Sequence, residues 1–313
     1  MMLNNALNLL RNRFDTPQRP QTGAIDPHSG GPIARDYLGT RDDLSSAGII
    51  GSKINAESGH AYITQERPSV HIVERLELPR NYDRNGNLIL GSGTNSVNIS
   101  LARNHQLPED HANAYVAMKT FVGYEQAALE YANHQALGDN PRFVKALDVA
   151  HVTSDECSYM FMERMTGGDG KAHLEQIFRE RALRPDEKKE LMLDAIHGYL
   201  SCLKAMHDKG FKHGDIDIKN FFHDADSHRV AIGDFGRSRQ ANPAQQIDEA
   251  KELGMMFNRD IRPEALRARV DTKDLDNIIG VLYGSHPDPR VKEDPIGILL
   301  KNWAQIQPNY LIQ

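Results

Sequence analysis

Gly210-Phe211-Lys212-His213-Gly214-Asp215-Ile216-Asp217-Ile218-Lys219-Asn220 is the stretch on which the reading of this chain turns, and Asp234-Phe235-Gly236 follows fourteen residues after Asn220. Upstream, apolar residues between Asp186 and Lys209 recur at intervals of three and four, the spacing of an amphipathic helix. Downstream, Val230-Ala231-Ile232 is a short apolar strand with Asp234 at its end. The stretch therefore offers two carboxylates and an amide, Asp215, Asp234 and Asn220, around one loop. A carboxylate can orient a hydroxyl and take its proton. An amide oxygen and a second carboxylate can hold Mg²⁺, a hard ion that prefers oxygen ligands. Phosphoryl transfer asks for such a set, because it needs positioning, metal ions and charge compensation more than covalent partners.

Working towards the N-terminus, Leu88-Ile89-Leu90 reads as a short strand, followed by Gly91-Ser92-Gly93-Thr94-Asn95-Ser96 and a second strand over 97–102. Alone, two glycines between strands make a tight hairpin turn. The other reading is that missing side chains let backbone N–H groups approach phosphate oxygens. Tyr115 to Phe121 is a further strand carrying Val116-Ala117-Met118-Lys119, and the composition of 125–137 is helical. Residues 143–149 and 158–165 read as two more strands, whereas the pattern is helical from Leu174 onward. Strands first and helices after suggest two lobes with a cleft between them.

In this order, the glycine loop, the Val-Ala-x-Lys strand, His213-x-Asp215-x-x-x-x-Asn220 and Asp234-Phe235-Gly236 resemble the motifs of a protein kinase over roughly 88–236. The resemblance implies an α+β, bilobal kinase-like fold with a strand-rich N-lobe and a reduced helical C-lobe. It implies ATP and Mg²⁺ as cofactors and a Ser/Thr protein hydroxyl as acceptor. Carried over, Gly91, Ser92 and Gly93 would cover the phosphates, Val97 would sit over the base, and the backbone of Glu163 and Met165 would pair with adenine. Lys119 would bind the α- and β-phosphates, and Glu130, deeper in its helix than Glu125, would hold Lys119 in place. Asp215 would be the catalytic base, with Asn220 and Asp234 as metal ligands.

Several departures bear on function. Ser96 replaces the third glycine of the loop. Gly214 replaces the arginine that commonly pairs with a phosphorylated activation loop, so control of that kind is not expected. Asp217 sits where serine/threonine kinases carry a lysine, and Lys219 is the candidate substitute. Only 77 residues follow Gly236, fewer than a full helical lobe takes. Two segments compete for the helix after the activation segment, Asp248 to Phe257 and Asp274 to Tyr283; the reading favours the first and so a very short segment. The short tail and the loop serine resemble compact kinases that bacterial pathogens deliver into host cells, which would make the substrate a host protein. His-Gly-Asp is also the form seen in aminoglycoside and choline phosphotransferases, so a small-molecule kinase stays open. A non-catalytic binding module would be expected to lack a catalytic group, and Lys119, Asp215, Asn220 and Asp234 are all present.

Composition bounds the rest. A net charge of −6 gives no support for nucleic-acid binding. Two cysteines, Cys157 and Cys202, make neither a disulfide scaffold nor a zinc site. No run reaches the roughly 18 apolar residues of a membrane span, and the start lacks the pattern of a cleavable signal peptide. A soluble protein with a cytoplasmic site of action, secreted without a cleavable signal if it is an effector, is the expectation. Leu3, Leu7, Leu10 and Phe14 fall at helical spacing and suggest a short docking helix. The expected organisation is a flexible extension over 1–80 with short structured pieces and a targeting role, an N-lobe and hinge over 81–165, and a shortened C-lobe over 166–313. The oligomeric state is not legible.

Overall fold

A computed structural model describes residues 52–55, 60–63, 70–72, 89–91, 98–104, 115–122, 125–152, 157–287 and 289–306. The expected docking helix near the N-terminus lies outside these residues. The mixed α+β content matches the expectation from sequence. The described residues divide into two compact units, and each is taken by itself.

The unit drawn from 52–136 and 145–164 is built on strands. β1 (Ser52–Asn55) and β2 (His60–Ile63) form an antiparallel pair. The main sheet uses β3 (Val70–Ile72), β4 (Ile89–Gly91), β5 (Asn98–Asn104), β6 (Tyr115–Val122), β7 (Ala146–Val152) and β8 (Cys157–Glu163). Its order is β3-β5-β6-β8-β7, all antiparallel, with β4 also on β5. Since β6 takes one edge of β5, β3 and β4 share the other: β3 along Ala102 to Asn104, β4 along Ile99 and Ser100. Three short strands, β1, β2 and β3, thus fall inside the stretch read as an extension with short structured pieces. A three-residue strand is too short to show a period, and pairing with β5 supplies what its own pattern does not.

Between β6 and β7 runs α1 (Glu125–Leu137). Ala127, Glu130, His134 and Leu137 are buried and recur at three, four and three, which is one face of a helix. On β6, Val116 and Met118 are buried as alternation requires, and Lys119 is buried as well. A charged strand residue at 2% exposure needs a partner, and α1 provides it.

The unit drawn from 137–144 and 165–306 is helical. α2 (Gly170–Arg179) is capped by Asp169, whose carboxylate accepts from the Ala172 N–H at 2.8 Å. α3 (Pro185–Asp208) starts on a proline in its first turn and is its longest helix. From Leu191 to Met206 it is buried on most sides, as befits a helix through the middle of a core. A Cβ on Gly198 would lie 2.6 Å from a methyl of Val230, so α3 and the strand beneath it touch through a glycine.

β9 (Phe211–Lys212) follows, then β10 (Phe221–His223) and β11 (Val230–Ile232), a hairpin, and β12 (Arg239–Gln240), which returns to pair with β9. α4 (Pro243–Met256) begins at the Asn242 cap, where Asn242 and Gln245 exchange side-chain and backbone bonds. A π-turn over Phe257–Ile261 leads to α5 (Arg262–Arg267), α6 (Lys273–Leu282), α7 (Pro289–Glu293), α8 (Pro295–Lys301) and α9 (Trp303–Ile306). Among the described residues no helix is long and apolar enough to cross a membrane.

Candidate active site

In the helical unit the loop from His213 to Asn220 is held by its own polar atoms. His213 is fully buried; its Nε2 lies 2.8 Å from the Gly233 carbonyl and its ring meets Phe235 edge-on at 5.7 Å. Asp217 caps a one-turn 3₁₀ segment over Ile218–Asn220, accepting from the Lys219 N–H at 2.9 Å. Asn220 Nδ2 donates to the Asp215 carbonyl at 2.9 Å, and the Asn220 carbonyl accepts from Gly233 N–H at 2.9 Å. With Nδ2 so engaged, the amide oxygen is the atom of Asn220 left for a cation.

Asp234 stands directly after this contact, with φ 63° and ψ 61°. That left-handed backbone is uncommon for a residue with a side chain and clusters at functional sites. Among the described residues no group of three or more His, Cys, Asp or Glu is placed to hold a metal. Mg²⁺ bound beside a nucleotide takes one or two protein oxygens, and phosphates and water supply the rest. Asn220 and Asp234 fit that donor set.

Two residues not singled out from sequence tie the loop to its surroundings. Glu249 on α4 is 1% exposed and accepts from the N–H groups of His213 at 3.0 Å and Gly214 at 2.6 Å, with His207 Nε2 at 3.0 Å. Burial alone would raise the Glu249 carboxyl, but these hydrogen bonds outweigh it and hold it below the usual carboxylate value. A sequence signal did exist: Glu249, Leu253 and Met256 share one helical stripe, and an acid on a buried stripe implies a partner. The contact also makes α4 the helix joined to the loop, with only 237–242 between it and Gly236. The second residue is Arg237, whose guanidinium lies 3.1 Å from Asp215 Oδ1. Nothing in the sequence pattern marks it.

In the strand-built unit, Lys119 Nζ meets both carboxylate oxygens of Glu130, at 2.9 and 2.8 Å. The side chains are 3% and 1% exposed. Glu125, the alternative on the same helix, is exposed. Gly91 ends β4, while Ser92, Gly93 and Val97 lie outside the described residues. Glu163 closes β8, its N–H bonded to the Lys145 carbonyl at 3.0 Å and its carboxylate accepting from the Lys145 N–H at 2.7 Å. Met165 belongs to the helical unit and lies 3.2 Å through its sulfur from Arg229. Lys219 joins the loop through its backbone, and its side chain is exposed.

A buried lysine fixed by one carboxylate, and a loop that presents a second carboxylate next to an oriented amide, are groups of the kind phosphotransferases use. Residues 87–276 match the family model of the protein kinase domain, well over half of the chain, and the chain belongs to that family. Comparison with curated proteins gave no match.

Proposed function

We propose that the chain is an active protein kinase that uses ATP and Mg²⁺ and phosphorylates a protein hydroxyl, serine or threonine in preference to tyrosine. The observation that carries this reading is the bond from Asn220 Nδ2 to the Asp215 carbonyl, which joins the proposed base to the proposed metal ligand in one turn. In this reading the acceptor hydroxyl loses its proton to Asp215 as its oxygen forms a bond to the γ-phosphorus. The bond from that phosphorus to the β–γ bridging oxygen breaks, and ADP leaves. Asn220 and Asp234 would hold Mg²⁺, which neutralises charge on the phosphates. Lys119, steadied by Glu130, would bind the α- and β-phosphates, beneath the backbone of Gly91, Ser92 and Gly93. Val97 would sit against the base, and adenine would pair with the Glu163 carbonyl and the Met165 N–H. Lys219 supplies positive charge beside the acceptor in place of the missing lysine at 217.

The test is ATP turnover by wild type and Asp215→Ala, together with labelled ATP offered to panels of proteins and of small molecules. Loss of a general base lowers the rate by about 10²- to 10⁴-fold. Equal rates would remove Asp215 from the mechanism, and label appearing only in small molecules would exclude a protein acceptor.

A further inference from the structure

Gly214 and Arg237 fit each other in a way that bears on how Asp215 is controlled. Gly214 has φ +78°, and a Cβ built on it would lie 2.6 Å from the Arg237 carbonyl oxygen. The loop therefore has no room for a side chain at 214 while the segment after Asp-Phe-Gly runs where it does. The positive charge beside Asp215 comes instead from that segment, through Arg237 and its 3.1 Å bond to Oδ1. One N–H on one carboxylate oxygen leaves Oδ2 for an acceptor hydroxyl, and a guanidinium stays charged throughout.

The backbone that carries Arg237 is itself pinned. Ser238 N–H donates to the Phe235 carbonyl at 3.0 Å, and the Ser238 hydroxyl to the His213 carbonyl at 3.2 Å. Arg239 and Gln240 pair with Lys212 and Phe211, the Ala241 N–H donates to Gly210 at 2.8 Å, and Asn242 caps α4. The connector thus runs over 237–242 with each residue bonded to the loop, to the strand before it or to the next helix. Its single hydroxyl side chain, Ser238, is buried and already used.

We infer that Arg237 is a positioning residue that holds the Asp215 carboxylate ready for the acceptor, so that catalysis needs no phosphate on the connector. This rests on the reading of Asp215 as the base. The experiment is steady-state ATP turnover by the full chain, before and after phosphatase treatment, for wild type, Arg237→Ala, Arg237→Gln, Arg237→Lys, Asp215→Ala and the Asp215→Ala/Arg237→Ala pair.

The expected result is a kcat lower by about 10- to 100-fold in Arg237→Ala and Arg237→Gln, the scale set by small misplacement of a catalytic group. KM for ATP stays within about twofold of wild type, because in this reading Arg237 orients the base rather than binding nucleotide. Arg237→Lys recovers part of the loss, the double variant is no slower than Asp215→Ala, and phosphatase changes nothing. Should Arg237→Ala fold poorly, the contrast between Arg237→Gln and Arg237→Lys decides the matter. Wild-type or raised kcat in Arg237→Gln, an additive double variant, or activity lost to phosphatase would each overturn the inference. An undiminished rate in Asp215→Ala overturns the assignment of the base, and this inference with it. Reduced Asp215→Ala beside intact Arg237→Gln overturns the inference alone.

Discussion

Each unit holds one of the two ion pairs that the proposed mechanism uses, and the pairs are built on opposite principles. Lys119 and Glu130 meet through two bonds at 2.8 and 2.9 Å, with side chains 3% and 1% exposed. Arg237 and Asp215 meet through one bond at 3.1 Å, with side chains 49% and 35% exposed. A buried pair is strongly coupled to folding, since removing one partner strands the other charge away from water. A half-exposed pair adds little stability, since water screens it and two long side chains must be ordered. The first pair is part of the core; the second is a means of aiming a carboxylate.

The largest effect expected from this contrast is at Glu130. Glu130→Ala leaves the Lys119 ammonium buried without its carboxylate, and the loss of stability is about 3–5 kcal/mol. Denaturant unfolding checks this, and a loss below about 1 kcal/mol would place Glu130 with the exposed pairs. Lys119→Met/Glu130→Leu, which replaces both charges with apolar groups, recovers much of the stability while losing turnover. That separation assigns the pair's catalytic part independently of its structural one.

Neutral buried groups extend the comparison to pH. His173 and His223 stack at 3.7 Å in the helical unit, and Tyr199 Oη lies 2.9 Å from His223 Nε2. Burial first, and the charge of His228 second, lower His173 from its ordinary 6.5 to about 4. Burial and then His173 push His223 in the same direction. The unfolded chain therefore binds protons below pH 6.5 that the folded chain refuses until about pH 4. Stability falls as pH drops through that window and is fully present above it. For His173 alone the loss is on the order of 3 kcal/mol. Melting temperature against pH reads it, and His173→Gln flattens the slope; an unchanged slope would mean that His173 is not the group being protonated.

How much of this was legible in sequence follows from where each signal resides. The loop over 210–220 and Asp234-Phe235-Gly236 could be read because their polar residues act at fixed short separations along one loop. Glu130 could be chosen over Glu125 only by depth in a helix, which is where burial along 127, 130, 134 and 137 places it. The sequence pattern over 143–149 reads as a strand from Phe143, yet β7 begins at Ala146. Phe143 instead bridges Ile232 and packs edge-on against Phe235 at 5.8 Å, a long-range contact that no local period encodes. The same limit hid β3, whose partner β5 lies across a long intervening stretch. Glu249 left a trace as an acid on an apolar stripe. Arg237 left none, because its role depends on a chain reversal that brings β12 back to β9.

The smallest expected effect is the one that separates the two pairs most clearly. In a double-mutant cycle on stability, the Arg237–Asp215 coupling is expected to stay under about 1 kcal/mol. At 1 M salt it should vanish, since the screening length falls to about 3 Å, comparable to the bond itself. The Lys119–Glu130 coupling should survive the same salt, because solvent ions do not reach a pair buried to this degree. Cycles run at low and high salt, read by denaturant unfolding, measure both. A large, salt-resistant Arg237–Asp215 coupling would make Arg237 a structural residue, and its effect on turnover would then follow from folding. A small coupling beside a large loss of kcat is the outcome expected if the contact sets where the Asp215 carboxylate points rather than how firmly the chain folds.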